Sequence, residues 1–257
     1  MLQRFRIAPL FAVAFLLAPA TSGTGAEIRV LNANALTVAM KELAAEFTRD
    51  TGNQVSFSGM SPGLVDQRIK AGEVYDLVIN ATDSVQSFEK QGKWRPGSRH
   101  PLARVGIGIA IRDGGKLDLS TVESTRKAIL DAKTIMFSDS RGGGLSGINA
   151  QKVLSNLGLT DAVKAKTKLS KDLAGGQAEI AKGEVDLGLF NLSEIPRAPG
   201  VTRAGPVPAA VQVYINYDSA IPATNTMPEP ALALLKYLQR PASRAVWDKA
   251  GLEVVAE

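Results

Sequence analysis

The chain has 257 residues, with 30 Lys and Arg against 25 Asp and Glu, one His and no Cys, and a formal charge of +5. Without cysteine, thiolate metal sites and cysteine nucleophiles are excluded, and the fold must stand on its core alone, as this length permits. One histidine cannot build a two-histidine zinc site, and a small, scattered basic excess argues against nucleic acid as a partner.

The amino end is read first. Met1 to Arg6 carries Arg4 and Arg6 and no acid, Ile7 to Ala20 is almost wholly apolar, and small residues run on to Ala26. Basic, then apolar, then small is the order of a secretory signal peptide, expected over 1–26 with cleavage after Ala26. Pro9 and Pro19 interrupt the apolar run, which falls short of the roughly 20 residues a spanning helix needs. The remainder is expected to be soluble and periplasmic.

Strand and helix patterns then alternate. Ile28 to Leu31 reads as a short buried strand. Met40, Leu43, Ala44 and Phe47 form one apolar stripe of a helix over Thr37 to Arg49, with Gly52 as its stop. Gln54 to Ser58 alternates as a strand, and Ser61-Pro62 opens a short helix ending near Gly72. Asp76 to Asn80 is the next strand, followed by a loop that holds His100. Val105 to Ile111 is a longer apolar run, and Thr134 to Ser138 another strand. It feeds a glycine-rich turn, Arg141 to Gly147, and a helix from about Ile148 to Leu157. Asp172 caps a helix stopped by Gly183. Strands are expected at Asp186 to Phe190 and Val211 to Ile215, and two helices broken at Pro241 near the end. Repeated β-α-β order implies an α/β fold with mostly parallel sheets, helices on both faces, and two similar lobes.

Four strand-to-helix turns carry the chemistry: Asn34-Ala35, Ser61-Pro62-Gly63, Gly144-Leu145-Ser146-Gly147 and Asp172-Leu173-Ala174. The first N–H groups of a helix lack partners inside it, and the helix dipole adds partial positive charge. Aimed at one cleft, such ends bind an anion; taken singly, each is equally an ordinary cap. Gly142, Gly144 and Gly147 also fit G-x-G-x-x-G, but Asp161 opens a helical stretch instead of ending a strand, which argues against a dinucleotide. Arg141 has a planar fork suited to a carboxylate, or is a plain surface arginine. The lysines at 164, 166, 168 and 171 read as a solvated face.

With those turns in order, the chain resembles the molybdate-binding periplasmic proteins of ABC transporters and their wider solute-binding family, from about Ile28 to Val255. The resemblance rests on IRVLNANALTVAMKELAAEFTRDTG, SPGLVDQRIKAGEVYDLVINAT, SGINAQKVLSNLGL and LLKYLQRPASRAVWDKAGLEV. It implies the two-lobed periplasmic-binding-protein fold (type II) with a hinge, lobe 1 being 27–108 plus 213–257 and lobe 2 109–212. It also implies a permease and a cytoplasmic ATPase as partners. No cofactor is expected, and the protein is expected to act as a monomer. The family's first-turn serine falls at Ala35 beside Asn34, and its second corresponds to Ser61. The third turn matches Leu145, Ser146 and Gly147, the fourth Leu173 or Ala174, and the family's tyrosine falls at Asn191.

The expected ligand set is therefore Asn34, Ala35, Ser61, Pro62, Gly63, Arg141, Gly144, Ser146, Gly147, Leu173, Ala174 and Asn191. One lost hydroxyl, one lost tyrosine and the added Arg141 tilt the expectation towards an organic di- or tricarboxylate, with molybdate or tungstate as the alternative. An exported enzyme using Asp76 or Asp186 is a rival of another class, though both acids stand at strand starts. A receptor that signals instead of delivering its ligand is a third.

Overall fold

The computed structural model describes residues 25–142, 144–195 and 199–255. The expected signal peptide, apart from Gly25 and Ala26, lies outside the described residues. From the amino end come β1 (Glu27–Ala33), α1 (Thr37–Thr51), β2 (Gln54–Met60), α2 (Pro62–Lys70), β3 (Leu77–Ala81), α3 (Thr82–Lys90) and β4 (His100–Val105). β5 (Ile107–Arg112), α4 (Val122–Asp131), β6 (Ile135–Ser138), α5 (Leu145–Asn156), α6 (Thr160–Val163) and β7 (Thr167–Ser170) follow. Next are α7 (Leu173–Lys182), β8 (Leu187–Asn191), β9 (Val201–Pro206), β10 (Ile215–Ala220), α8 (Glu229–Gln239), α9 (Arg244–Lys249) and β11 (Glu253–Val254).

Six strands form one sheet, in the order β11-β4-β10-β3-β1-β2, and five form another, β7-β6-β8-β5-β9. The chain passes between them twice, at Gly106 and again between Pro206 and Ile215. β1 is parallel to β2 and β3, and β6 to β7 and β8. β10 is antiparallel to β3 and β4, and β5 to β8 and β9. The sheets are thus mixed: parallel where strands feed helices, antiparallel beside the crossovers.

Both sheets are covered on both faces, and the period-2 alternation of a strand decides which side chain goes where. Ile28, Val30, Leu77 and Ile79 join a core with Met40, Leu43 and Phe47 of α1 and Trp247 of α9, whereas Leu31 and Val78 face Val65 of α2 and Phe88 of α3. In the second sheet Ile109, Ile135 and Leu189 pack on Val153 and Leu154 of α5, and Ala110, Met136 and Phe190 on Ile180 of α7. α1 and α7 stop where expected, at Gly52 (φ 76°) and Gly183 (φ 78°), the left-handed conformation that favours glycine.

Three expectations are corrected. Val105 to Ile111 is not one strand: Gly106 separates β4 from β5, which lie in different sheets. A Cβ at Gly106 would stand 2.7 Å from the Gln212 side chain, so glycine is needed at this crossing. His100 opens β4 and is not in a loop. The strand expected at Val211 to Ile215 starts at Ile215 and runs on to Ala220. Its polar Asp218, 2% exposed, is satisfied by Arg99 Nη1 and Thr82 Oγ1, both donating at 2.7 Å.

Candidate functional site

Parallel strands deliver their following turns to one edge of a sheet, and here two such edges meet. A cavity of ≈ 180 Å³ lies between them. From the first sheet it takes Asn34 after β1, Ser61 and Pro62 after β2, and Ile215 and Tyr217 of β10. From the second it takes Ser138 at the end of β6 and Asp139 after it, Gly144 to Ser146 at the start of α5, Lys171 to Leu173 after β7, and Asn191 at the end of β8 with Glu194 after it.

The helix starts are unevenly capped. Ser61 is the N-cap of α2, with Pro62 beside it, yet its hydroxyl makes no capping bond and is buried without a partner among the described residues. Gly144 caps α5 and has no side chain to offer. Gly147 lets that helix press onto the end of β6, since a Cβ there would stand 1.9 Å from the Ser138 carbonyl oxygen. Ser146 Oγ accepts from the Asn191 N–H at 3.2 Å, which leaves its own proton for another acceptor. At α7 the cap is filled: Asp172 Oδ1 accepts from Gly175 N at 2.7 Å. Lys171 precedes it, exposed and without an ion pair to any described residue. Uncapped helix starts, free hydroxyls and one ammonium form a donor set suited to an anion.

Of the expected ligand residues, Asn34, Ser61, Pro62, Gly144, Ser146, Leu173 and Asn191 line the cavity. Ala35, Gly63, Gly147 and Ala174 stand next to lining residues without lining it themselves, and Ala35 is wholly buried. Arg141 is also outside, and the expectation that its fork faces the cleft is corrected. Its side chain is 85% exposed and turns back on Asp139, Nε donating to Oδ2 at 2.8 Å and to Oδ1 at 3.0 Å. The guanidinium holds the Asp139 carboxyl down at about 2.

Sequence reasoning missed Ser138, Asp139, Lys171, Glu194, Ile215 and Tyr217 as lining residues. Lys171 had a signal, its place directly before the Asp172 cap. Tyr217 had none: it arrives from a distant strand and is 1% exposed, and burial, with the Glu194 charge behind it, pushes its phenol above the ordinary range. Asp76 and Asp186, weighed as catalytic acids, lie away from the cavity at strand starts. Asp76 accepts from Arg29 N at 2.8 Å and Asp186 from Thr134 N at 3.1 Å.

A family model described as bacterial extracellular solute-binding protein matches residues 28–253. The chain belongs to that family. Among curated relatives, an aconitate isomerase from Pseudomonas sp. is 27% identical over 236 residues, covering 89% of this chain and 88% of its own. The molybdate-binding protein of Azotobacter vinelandii is also 27% identical, over 235 residues, covering 88% and 90%. The solved substrate-binding domain of a putative molybdenum ABC transporter from Clostridium difficile superposes with a TM-score of 0.75 at 18% identity, covering 90% of this chain and 100% of that one. The family match and these likenesses establish a two-lobed solute-binding architecture; the cavity lies where its two sheets meet.

Proposed function

We propose that this solute-binding protein captures a compact oxyanion, molybdate or tungstate, in the periplasm and delivers it to a permease driven by a cytoplasmic ATPase. The observation that carries the reading is the pair of hydroxyls at Ser61 and Ser146, both uncommitted as donors, on a cavity lined by uncapped helix starts. A tetrahedral dianion calls for many neutral donors around four oxygens, and Lys171 supplies one positive charge. The molybdate-binding relatives support the same choice. The carboxylate preference rested in part on Arg141, which pairs with Asp139 instead.

In this reading residues 1–26 export the chain, and 27–108 with 213–257 close on 109–212 about the two crossovers, the hinge motion of such architectures. The protein acts as a monomer, and as a binder without catalysis. Isothermal titration with molybdate and tungstate should show saturable, one-to-one heat. No heat with either ion would sink the reading.

An organic acid is the second reading, favoured by the relative named aconitate isomerase and by Lys171, which pairs with no carboxylate among the described residues. Heat with tricarboxylates and none with molybdate would select it. Conversion of trans-aconitate to its cis isomer, followed by absorbance, would overturn the reading of a pure binder.

A further inference from the structure

A second cavity of ≈ 200 Å³ adjoins the first and shares Leu145 and Ile215 with it, so these two apolar side chains stand between the chambers. Its polar lining comes from Thr82 and Asp83 at the start of α3, Asn149 and Lys152 one turn apart on α5, and Tyr214 and Asn216. None of these residues belongs to the expected ligand set.

Asn149 is the telling residue. It is 6% exposed, and its amide makes no side-chain hydrogen bond to any described residue; it is not among the wholly buried unpartnered groups, so it keeps an opening onto the chamber it lines. An amide that borders open space and has no protein partner is available to a ligand there. Two further features point the same way. Lys152, three residues along the same helix face, forms no ion pair with a described carboxylate. The start of α3 has no side-chain cap, because Ala81 holds the capping position and the Thr82 hydroxyl is taken by Asp218 Oδ1 at 2.7 Å. Asp83, exposed, is the only acid in this lining.

We infer that the second chamber receives the far carboxylate of an elongated organic acid whose near carboxylate sits in the first chamber. The amide of Asn149, the ammonium of Lys152 and the free N–H groups of α3 supply the donors. The hydrocarbon spacer between the carboxylates lies against Leu145 and Ile215. A tetrahedral oxyanion, having no second arm, occupies the first chamber alone. The inference rests on the first chamber being an anion site and deepens the organic-acid reading of it.

The test is titration of tricarballylate and of molybdate into the wild type and into Lys152→Gln, Asn149→Ala and Asp83→Asn. Tricarballylate affinity should fall at least tenfold in the first two and rise several-fold in Asp83→Asn, where a repelling charge is gone. Molybdate affinity should stay within twofold throughout. Lys152 and Asp83 are exposed, so folding does not confound those two variants. The inference is overturned if tricarballylate does not bind the wild type, if it binds all four proteins alike, or if molybdate affinity falls in step. Loss of molybdate binding by the wild type would instead strike the oxyanion reading, and tricarballylate would still decide the second chamber.

Discussion

Asn34 Nδ2 donates a hydrogen bond to Glu194 Oε1 at 3.1 Å, joining residues 160 positions apart in the chain. Asn34 follows β1 in the six-stranded sheet, and Glu194 follows β8 in the five-stranded one, so the bond ties the two halves along the cavity lining. Glu194 is 4% exposed, and its own turn is fixed by Gln177, whose Nε2 donates to the Glu194 carbonyl oxygen at 2.7 Å. A hydrogen bond to a charged group contributes about 1.5–3 kcal/mol. Asn34→Ala should therefore lower stability to urea by that amount and loosen the cleft, seen as a larger radius in solution scattering. Wild-type values for both would mean that the bond does not couple the lobes.

Ser146→Ala tests whether this hydroxyl holds the ligand. The hydroxyl accepts from Asn191 N and keeps one proton free for a ligand, so its loss removes a donor to a charged group. The dissociation constant for molybdate should rise about tenfold or more, in keeping with the 1.5–3 kcal/mol of such bonds. The buried Asn191 N–H loses its acceptor as well, so stability should also fall, by about 1–3 kcal/mol, and the titration is made well below the melting temperature. Unchanged affinity would take Ser146 out of the site.

The sequence-legible part of this molecule is its local part. The stripe Met40, Leu43, Ala44 and Phe47 is buried as its spacing requires, and the turns after β1, β2, β6 and β7 reach one cavity. What could not be read depends on partners far along the chain. The apolar run through Val105 to Ile111 shows no sign of the change of sheet at Gly106. α3 and α4 open on polar residues and escaped notice, although Thr121 and Ser124 form a capping box. The lysines read as a solvated face are not all alike: Lys166 Nζ donates to the carbonyls of Ile129, Leu130 and Ala132 and closes the end of α4. At the site, Arg141 suggested a ligand contact because sequence could not show that Asp139, two residues earlier, would hold it.

Gln212 is expected to matter for the crossovers between lobes. Ile107 N donates to its Oε1 at 2.7 Å, and its Nε2 donates to Ile107 O at 2.9 Å, so one side chain pairs a backbone position as a neighbouring strand would. Removing it leaves the Ile107 N–H unmet, at about 1–3 kcal/mol for a buried group, while the Ile107 carbonyl keeps its hydrogen bond from Val207 N at 3.2 Å. Gln212→Ala should lose stability in that range. Gly106→Ala, whose Cβ would strike the same side chain, should also destabilise. Urea denaturation of both variants checks this, and a neutral effect at both positions would show that the two crossovers are not held by this contact.

Arg141 and Asp139 give the pH prediction. The carboxyl of Asp139 is lowered from 3.8 to about 2, first by the hydrogen bonds from the Arg141 side chain. A folded-state value below the unfolded one contributes stability that is present above the unfolded value and lost as pH falls through the folded one. The pair thus stays ionised and intact from pH 5 to 8, and this turn should leave molybdate affinity flat across that window. Arg141→Ala strips the counter-charge from a carboxylate on the cavity lining. Affinity for an anion should then weaken several-fold and recover as pH falls towards the ordinary carboxylate range. A direct contact between Arg141 and the ligand would weaken binding as well, so the double variant Asp139→Asn, Arg141→Ala is needed to separate the two. If Arg141 acts by neutralising Asp139, the double variant regains wild-type affinity, because the repelling charge has gone too. If Arg141 touches the ligand, the double variant stays weak.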